Sequence, residues 1–389
     1  MFSVLLPVIY LAFISLGLPD ALLGAAWPSM YPQLGAQLSW AGIVSFLISM
    51  GTITSSFASD HLTGKLGPGK VTAFSVALTA AALLGFSFCG QFWQLCLWAV
   101  PYGLGAGSVD AALNNYVALH YESRHMSWLH AMWGIGASIG PVIMGWALTG
   151  SGWNTGYRII GLLQIALTAV LLLSLPLWKR PQDAAGDQGF TPEHLPLPRL
   201  LRLPGVKEVL ACFFCYCALE STAGMWAASY CTLARGIDAQ TAAGWASLYY
   251  AGITAGRLAA GFITMKLGDR QMIRLGQVLM AGGLALIFLP QGGAVLQAGL
   301  LLLGVGSAPI YPSIIHETPA NFGRELSMAM TGVQMAFAYI GSLAMPPLFG
   351  LLAQYVSIAL YPWYMALLLL VMFLTAEALH RKTAFRRKH

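Results

Sequence analysis

Long apolar runs, each of about 20 residues or more, recur along the chain with mostly short polar connections between them. This rhythm restricts the fold more than any single motif does. The runs read as spans at roughly 3–30, 39–59, 70–89, 94–118, 127–150, 155–178, 206–232, 240–263, 272–290, 294–315, 327–352 and 358–379. Of the 389 residues, 57% are hydrophobic and 9% charged, against about 25% charged in an ordinary soluble domain. A soluble chain of this length needs a polar skin that this composition cannot supply, so the bilayer must solvate most of its surface. The predicted fold class is all-α and integral to a membrane, with about twelve transmembrane helices. Val4 to Trp27 is too long for a signal-peptide core and contains Asp20, so it is read as a retained helix.

The formal charge of +6 invites a nucleic-acid reading, and its distribution rejects it. Of the 20 Lys and Arg, all but Arg158, Arg235 and Arg257 fall in the even-numbered connections and the tail. That alternation is the positive-inside pattern, and it predicts cytoplasmic termini in a multi-pass cell membrane protein, inner or plasma.

The longest polar stretch, Lys179 to Gly205, lies near the midpoint and carries five prolines. It divides the chain into an expected bundle at 1–178, a cytoplasmic linker at 179–205, a second bundle at 206–379 and a basic tail at 380–389. The halves repeat each other. Leu104-Gly105-Ala106-Gly107-Ser108 matches Leu303-Gly304-Val305-Gly306-Ser307, and Gly51 with Lys65-Leu66-Gly67 matches Gly252 with Lys266-Leu267-Gly268. Gly136, Pro141 and Gly145 match Gly341, Pro346 and Gly350, and Asp20, Gly24, Trp27 and Tyr31 echo Glu220, Gly224, Trp226 and Tyr230. All four matches run in the same order at a separation of about 200 residues. Two pseudo-symmetric six-helix bundles follow, with a solute site between parallel repeats near mid-membrane.

Ionisable side chains inside spans are costly, and each is a functional hypothesis. Three carboxylates qualify: Asp20, Asp110 and Glu220. Burial disfavours a charged acid, so such a group can bind a proton near neutral pH and release it when water arrives. Asp110 has Asn114 one turn on, on the same face, and Asn115 beside it. Acids and amides so placed suit a polyhydroxylated ligand. Glu220 reads as proton carrier or as sugar acceptor. His130 and Gln334 read as ligand contacts or as satisfied packing residues. Trp133 and Trp226 are candidates to stack on a sugar ring, although Trp commonly anchors at the interface. Asp60 and Lys65, in the connection between spans two and three, read as a clasp on a cytoplasmic gate. Arg257, in the equivalent part of span eight, is expected to pair with an acid or a helix end. Cys212, Cys215 and Cys217 lie in the seventh span with Cys231 at its end, but helical geometry spreads the first three around the helix and no histidine cluster completes a shell. No metal site, nucleophile–base motif or phosphate loop is expected, and an enzyme is not.

The segment Asp60-His61-Leu62-Thr63-Gly64-Lys65-Leu66-Gly67-Pro68-Gly69-Lys70 resembles the loop signature of the major facilitator superfamily, without its usual Arg after the Asp. Leu18-Pro19-Asp20-Ala21-Leu22-Leu23 looks like the first-helix acidic motif of that superfamily's fucose/proton symporter branch. Gly105 to Val117 is similar to the branch's fourth helix, with Asp110 standing where Glu is usual and Asn114 four residues on. The resemblance implies the major facilitator fold, Asp20 and Asp110 as proton carriers, Asn114 as a sugar contact and His130 at a substrate-facing position. It further implies a monomer that needs no cofactor, with H+ as coupling ion and Na+ as the alternative. The expected function is proton-coupled symport of a sugar or similar small polar solute by alternating access, with lipid as surroundings and no nucleic acid as partner. Proton-driven efflux of drugs or metabolites is the alternative, kept open by the Gly140-Pro141 element of span five.

Overall fold

A computed structural model describes residues 5–121, 123–178, 197–264, 266–290 and 292–386. Among the described residues the chain is helical, with no strand. The helices are α1 (Leu5–Asp20), α2 (Leu22–Gln33), α3 (Ala41–Leu66), α4 (Pro68–Ser87), α5 (Phe92–His120), α6 (Ser123–Leu148), α7 (Trp153–Leu173), the short α8 (Leu197–Leu200), α9 (Val206–Arg235), α10 (Ala239–Ile263), α11 (Asp269–Phe288), α12 (Gly293–Ser307), α13 (Ile310–Phe322), α14 (Arg324–Leu352) and α15 (Tyr361–Arg386). Helix suits an apolar chain in lipid because each segment satisfies its own backbone, where a strand would need a closed barrel.

Two spans are broken helices. α1 and α2 form the first, interrupted at Ala21; α12 and α13 form the tenth, interrupted at Ala308 and Pro309. Proline has no N–H to give the ladder, so each break sits beside one: Pro19 and Pro309. Nine stretches among the described residues are long and apolar enough to cross a membrane, and the last, Met330–Thr383, takes in most of both α14 and α15. α5 and α10 fall outside that set; they carry Asp110 and Asn114, and Arg257, respectively. With them the twelve spans read in the sequence are all present as helices.

The chain divides into two compact units. The first comprises Met1–Gly186, Gly224–Ala251 and Gly350–Ala359; the second comprises Asp187–Ala223, Gly252–Phe349 and Leu360–His389. Within the first, glycines set the helix approaches. A Cβ on Gly136 or Gly140 would run into the backbone carbonyls of Ile14 and Leu18, and one on Gly17 into that of Trp133, so α1 and α6 touch backbone to backbone. Gly103 and Gly107 do the same for α5 against Ile48 and Thr52 of α3, while Gly105 of α5 faces Ser75 of α4. Within the second unit the pattern returns: Gly252 and Gly256 of α10 face Leu301 and Val305 of α12, Gly306 of α12 faces Gly276 of α11, and Gly341 of α14 faces Phe214 of α9. The repeat in sequence is therefore a repeat in packing.

Charged side chains cluster at one end of the second unit. Arg274 grips Glu377 through two hydrogen bonds of 2.5 and 2.6 Å, joining α11 to α15. Lys382 donates to Glu208 at 2.5 Å, joining α15 to α9, and His316 lies 2.8 Å from Asp269, joining α13 to α11.

Candidate functional site

Asp20 ends α1 and is exposed, although the helix that carries it is apolar along its length. Its position follows from Pro19. A proline at that place leaves the carbonyl of Ser15, four residues back, without its ladder donor. Gln164 of α7, buried, supplies one: its Nε2 donates to Ser15 O at 2.5 Å. The helix is thus free to stop at Asp20 without stranding a buried carbonyl.

Two neutral donors from two other helices hold the carboxylate. The hydroxyl of Tyr102 in α5 donates to Oδ1 at 2.9 Å. The indole Nε1 of Trp133 in α6 donates to Oδ2 at 2.7 Å. Trp133 packs edge-on against Tyr250 of α10, with ring centroids 6.2 Å apart. Further along α5, Asn114 Nδ2 donates to Asp110 Oδ1 at 2.9 Å, as the one-turn spacing predicts. Asp110 lies within electrostatic reach of Asp20. Among the described residues neither acid forms an ion pair. Hydrogen bonds to a charged group are worth about 1.5–3 kcal/mol each. That is enough to hold the charged form in place and little enough to let a proton compete.

The first unit also places His130, half-buried, edge-on to Phe13 with centroids 5.9 Å apart. Trp226 is fully buried and its ring fills the space above Gly350. Trp27, the residue that echoes it in the other half, is buried too and donates to Leu38 O at 2.8 Å. Lys65 is exposed in the last turn of α3. The side chains of Asp60 and Asn115 lie outside the described residues.

In the second unit Glu220 of α9 pairs with Arg257 of α10 at 3.5 Å, both side chains about four-fifths buried. The partner cation comes from the next helix, not from beside Glu220 on its own, so one pair joins a residue read as a ligand contact to one read as a gate. Gln334 of α14 is fully buried, and its Oε1 lies 3.0 Å from the Thr318 hydroxyl of α13. Among the described residues no group of three His, Cys, Asp or Glu is placed to hold a metal.

Tyr102, Tyr250 and Gln164 were not among the candidates read from the sequence. For Gln164 a signal was there: it is the one amide in α7 after Arg158, and Pro19 leaves a carbonyl that needs such a donor. Nothing local marks Tyr102 or Tyr250 among the 15 tyrosines.

Comparison with known proteins places this architecture. The chain is 22% identical over 92% of its length to Bypass of stop codon protein 6 of Saccharomyces cerevisiae, of which it covers 79%. It is 23% identical to an MFS-type transporter of Yersinia pestis, with 92% of each chain covered. It is also 23% identical to Sodium-dependent glucose transporter 1A of Mus musculus, with 88% of each covered. The fold matches the crystal structure of the nucleoside transporter NupG with a TM-score of 0.78 at 14% identity, covering 96% of this chain and 98% of that one. A bacterial homologue of the lysosomal transporter Spinster matches with a TM-score of 0.70 at 12% identity, over 98% and 97% of the two chains. The sequence profile of the Major Facilitator Superfamily matches residues 9–245 and again 209–388. Twelve helical spans, a repeat carried in sequence and packing, and a profile that fits both halves establish that this multi-pass membrane protein belongs to the Major Facilitator Superfamily of transporters.

Proposed function

We propose that the chain is a proton-coupled symporter of a sugar or similar small polar solute, of the fucose/proton symporter branch, working as a monomer by alternating access. The observation that carries this reading is the Asp20 carboxylate, exposed in the middle of a span and held, among the described residues, only by the neutral donors Tyr102 and Trp133. A carboxylate with a cation beside it stays charged; one held by neutral donors can exchange its charge for a proton. In this reading Asp20 and Asp110 carry protons. Asn114, Asn115, His130 and Trp133 contact solute from the first half, and Glu220, Trp226 and Gln334 belong to the second half's share of the site. Asp60, Lys65 and Arg257 serve the gates. A solute hydroxyl that reaches Glu220 competes with the Arg257 guanidinium for it, so binding there loosens the ion pair between α9 and α10. Both termini are cytoplasmic in this reading, on the positive-inside pattern. One relative is named for sodium-dependent glucose transport, which supports a sugar and makes Na+ the ion to test beside H+.

The test is uptake of a radiolabelled sugar panel into proteoliposomes carrying the wild type, Asp20→Asn or Asp110→Asn. An inward proton gradient should drive accumulation in the wild type. Each substitution should abolish accumulation while counterflow exchange persists. Accumulation driven by Na+ alone, or indifferent to both substitutions, refutes the proton reading. Proton-driven extrusion of a drug with no sugar uptake would establish efflux instead.

A further inference from the structure

The two oxygens of Asp20 have chemically different partners. Trp133 Nε1, on Oδ2, carries a hydrogen it can only donate. Tyr102, on Oδ1, has a hydroxyl that can donate or accept. A proton arriving on Oδ2 would find no acceptor in the indole, which can only donate. A proton on Oδ1 has an acceptor waiting, provided the tyrosine's own hydrogen can turn elsewhere.

The structure supplies that elsewhere. Tyr102 lines a small cavity with Ser15, Pro19, Thr79 and Gln164. The hydroxyls of Ser15 and Thr79 are committed to carbonyls of their own helices. Gln164 is buried, and its Oε1 has no hydrogen-bond partner among the described residues. Its orientation is fixed, because Nε2 must face the Ser15 carbonyl that Pro19 leaves open. One buried acceptor without a donor therefore shares a cavity with the one donor that has to turn. Among the described residues, the other ionisable groups within electrostatic reach of this cluster are Asp110 of α5, near Asp20, and Tyr157 of α7 and Tyr250 of α10, near Tyr102.

We infer that Asp20 takes its proton on Oδ1, that Tyr102 then turns from donor to acceptor, and that Gln164 Oε1 receives the tyrosine's hydrogen, directly or through one water. One O–H bond forms, on Oδ1; the tyrosine O–H rotates and does not break. Trp133 keeps its bond to Oδ2 throughout. Tyr102 is a positioning residue here, and Gln164 joins the bend of α1 to the protonation state of its last residue. The inference rests on the reading of Asp20 as a proton carrier.

The test is infrared titration of the full-length protein in lipid nanodiscs, which needs no solute. The protonated Asp20 carbonyl band is assigned by its loss in Asp20→Asn. Tyr102→Phe should shift that band to higher frequency, as for a carboxyl that donates to nothing. Gln164→Met should shift it in the wild-type background and not in Tyr102→Phe, because its effect passes through the hydroxyl. A band that Tyr102→Phe leaves in place overturns the inference while leaving Asp20 as the proton site. If Gln164→Met does not fold, Tyr102→Phe alone decides. The absence of any titrating band lost in Asp20→Asn would overturn the proton reading itself, and this inference with it.

Discussion

Pro19 and Asp20 show how much one residue can ask of its surroundings. The proline frees a carbonyl, and the acid needs donors; Gln164, Tyr102 and Trp133 meet these demands from three other helices. Pro19→Ala should restore the N–H and let α1 run on past Asp20. Proline inside a helix costs about 3 kcal/mol relative to alanine, so this variant should melt no lower than the wild type while gradient-driven uptake falls at least about tenfold, a 1.4 kcal/mol effect on the driven step. A melting curve and an uptake assay on one preparation check both halves of that expectation. The acids were legible in the sequence because an ionisable group stands out in an apolar run. Of their donors, Asn114 was legible from its spacing to Asp110, and Trp133 was singled out, though for stacking on a sugar; Tyr102 was not, because a tyrosine in such a run looks like its neighbours until the helices are assembled. Arg257 was expected to pair with an acid or a helix end; that the acid is Glu220 was not legible, since the two are 3.5 Å apart in space but on different helices.

At the scale of the element, the boundaries of the spans were largely readable, because lipid demands one length and one composition of every helix that crosses it. The breaks at Ala21 and at Ala308 were less so: prolines at 28, 101, 141, 346 and 347 lie inside helices that continue. A proline permits a break, and the packing around it decides whether one forms. Glycine positions were legible as small residues, but their partners came only with the fold. Gly136→Val should be severe, since its Cβ would meet the Ile14 carbonyl of α1. Overpacking typically costs about 1–3 kcal/mol, and here the obstacle is backbone, so a lower melting temperature or loss of the folded species on gel filtration is the expected result. Gly244, around which a Cβ meets nothing within 4 Å, is the control, and Gly244→Ala should leave both readouts unchanged. The Arg274–Glu377 pair sits at the other extreme. Its arginine is nearly half exposed, and exposed pairs are worth about 0–1 kcal/mol, so Arg274→Gln should shift melting little at moderate salt.

For the whole molecule, the internal repeat was the most informative line in the sequence, because it predicted that two sets of helices would pack alike, and Gly51 and Gly252 do meet the same glycine-rich turn in each half. The distribution of Lys and Arg makes an orientation prediction of its own. In a cysteine-free background, Cys placed at Lys382 should escape a membrane-impermeant thiol reagent in whole cells and react in inverted vesicles, while Cys at Gly150 should do the reverse; the opposite result would reverse the assigned topology. The Gln164–Ser15 bond has a last consequence. The bend that presents Asp20 is closed by a side chain more than a hundred residues away in sequence. A synthetic peptide of residues 5–33 would contain the whole acidic motif, yet in a micelle nothing would hold its shape. Grafting that motif onto an unrelated first helix would carry the letters across and leave the geometry behind.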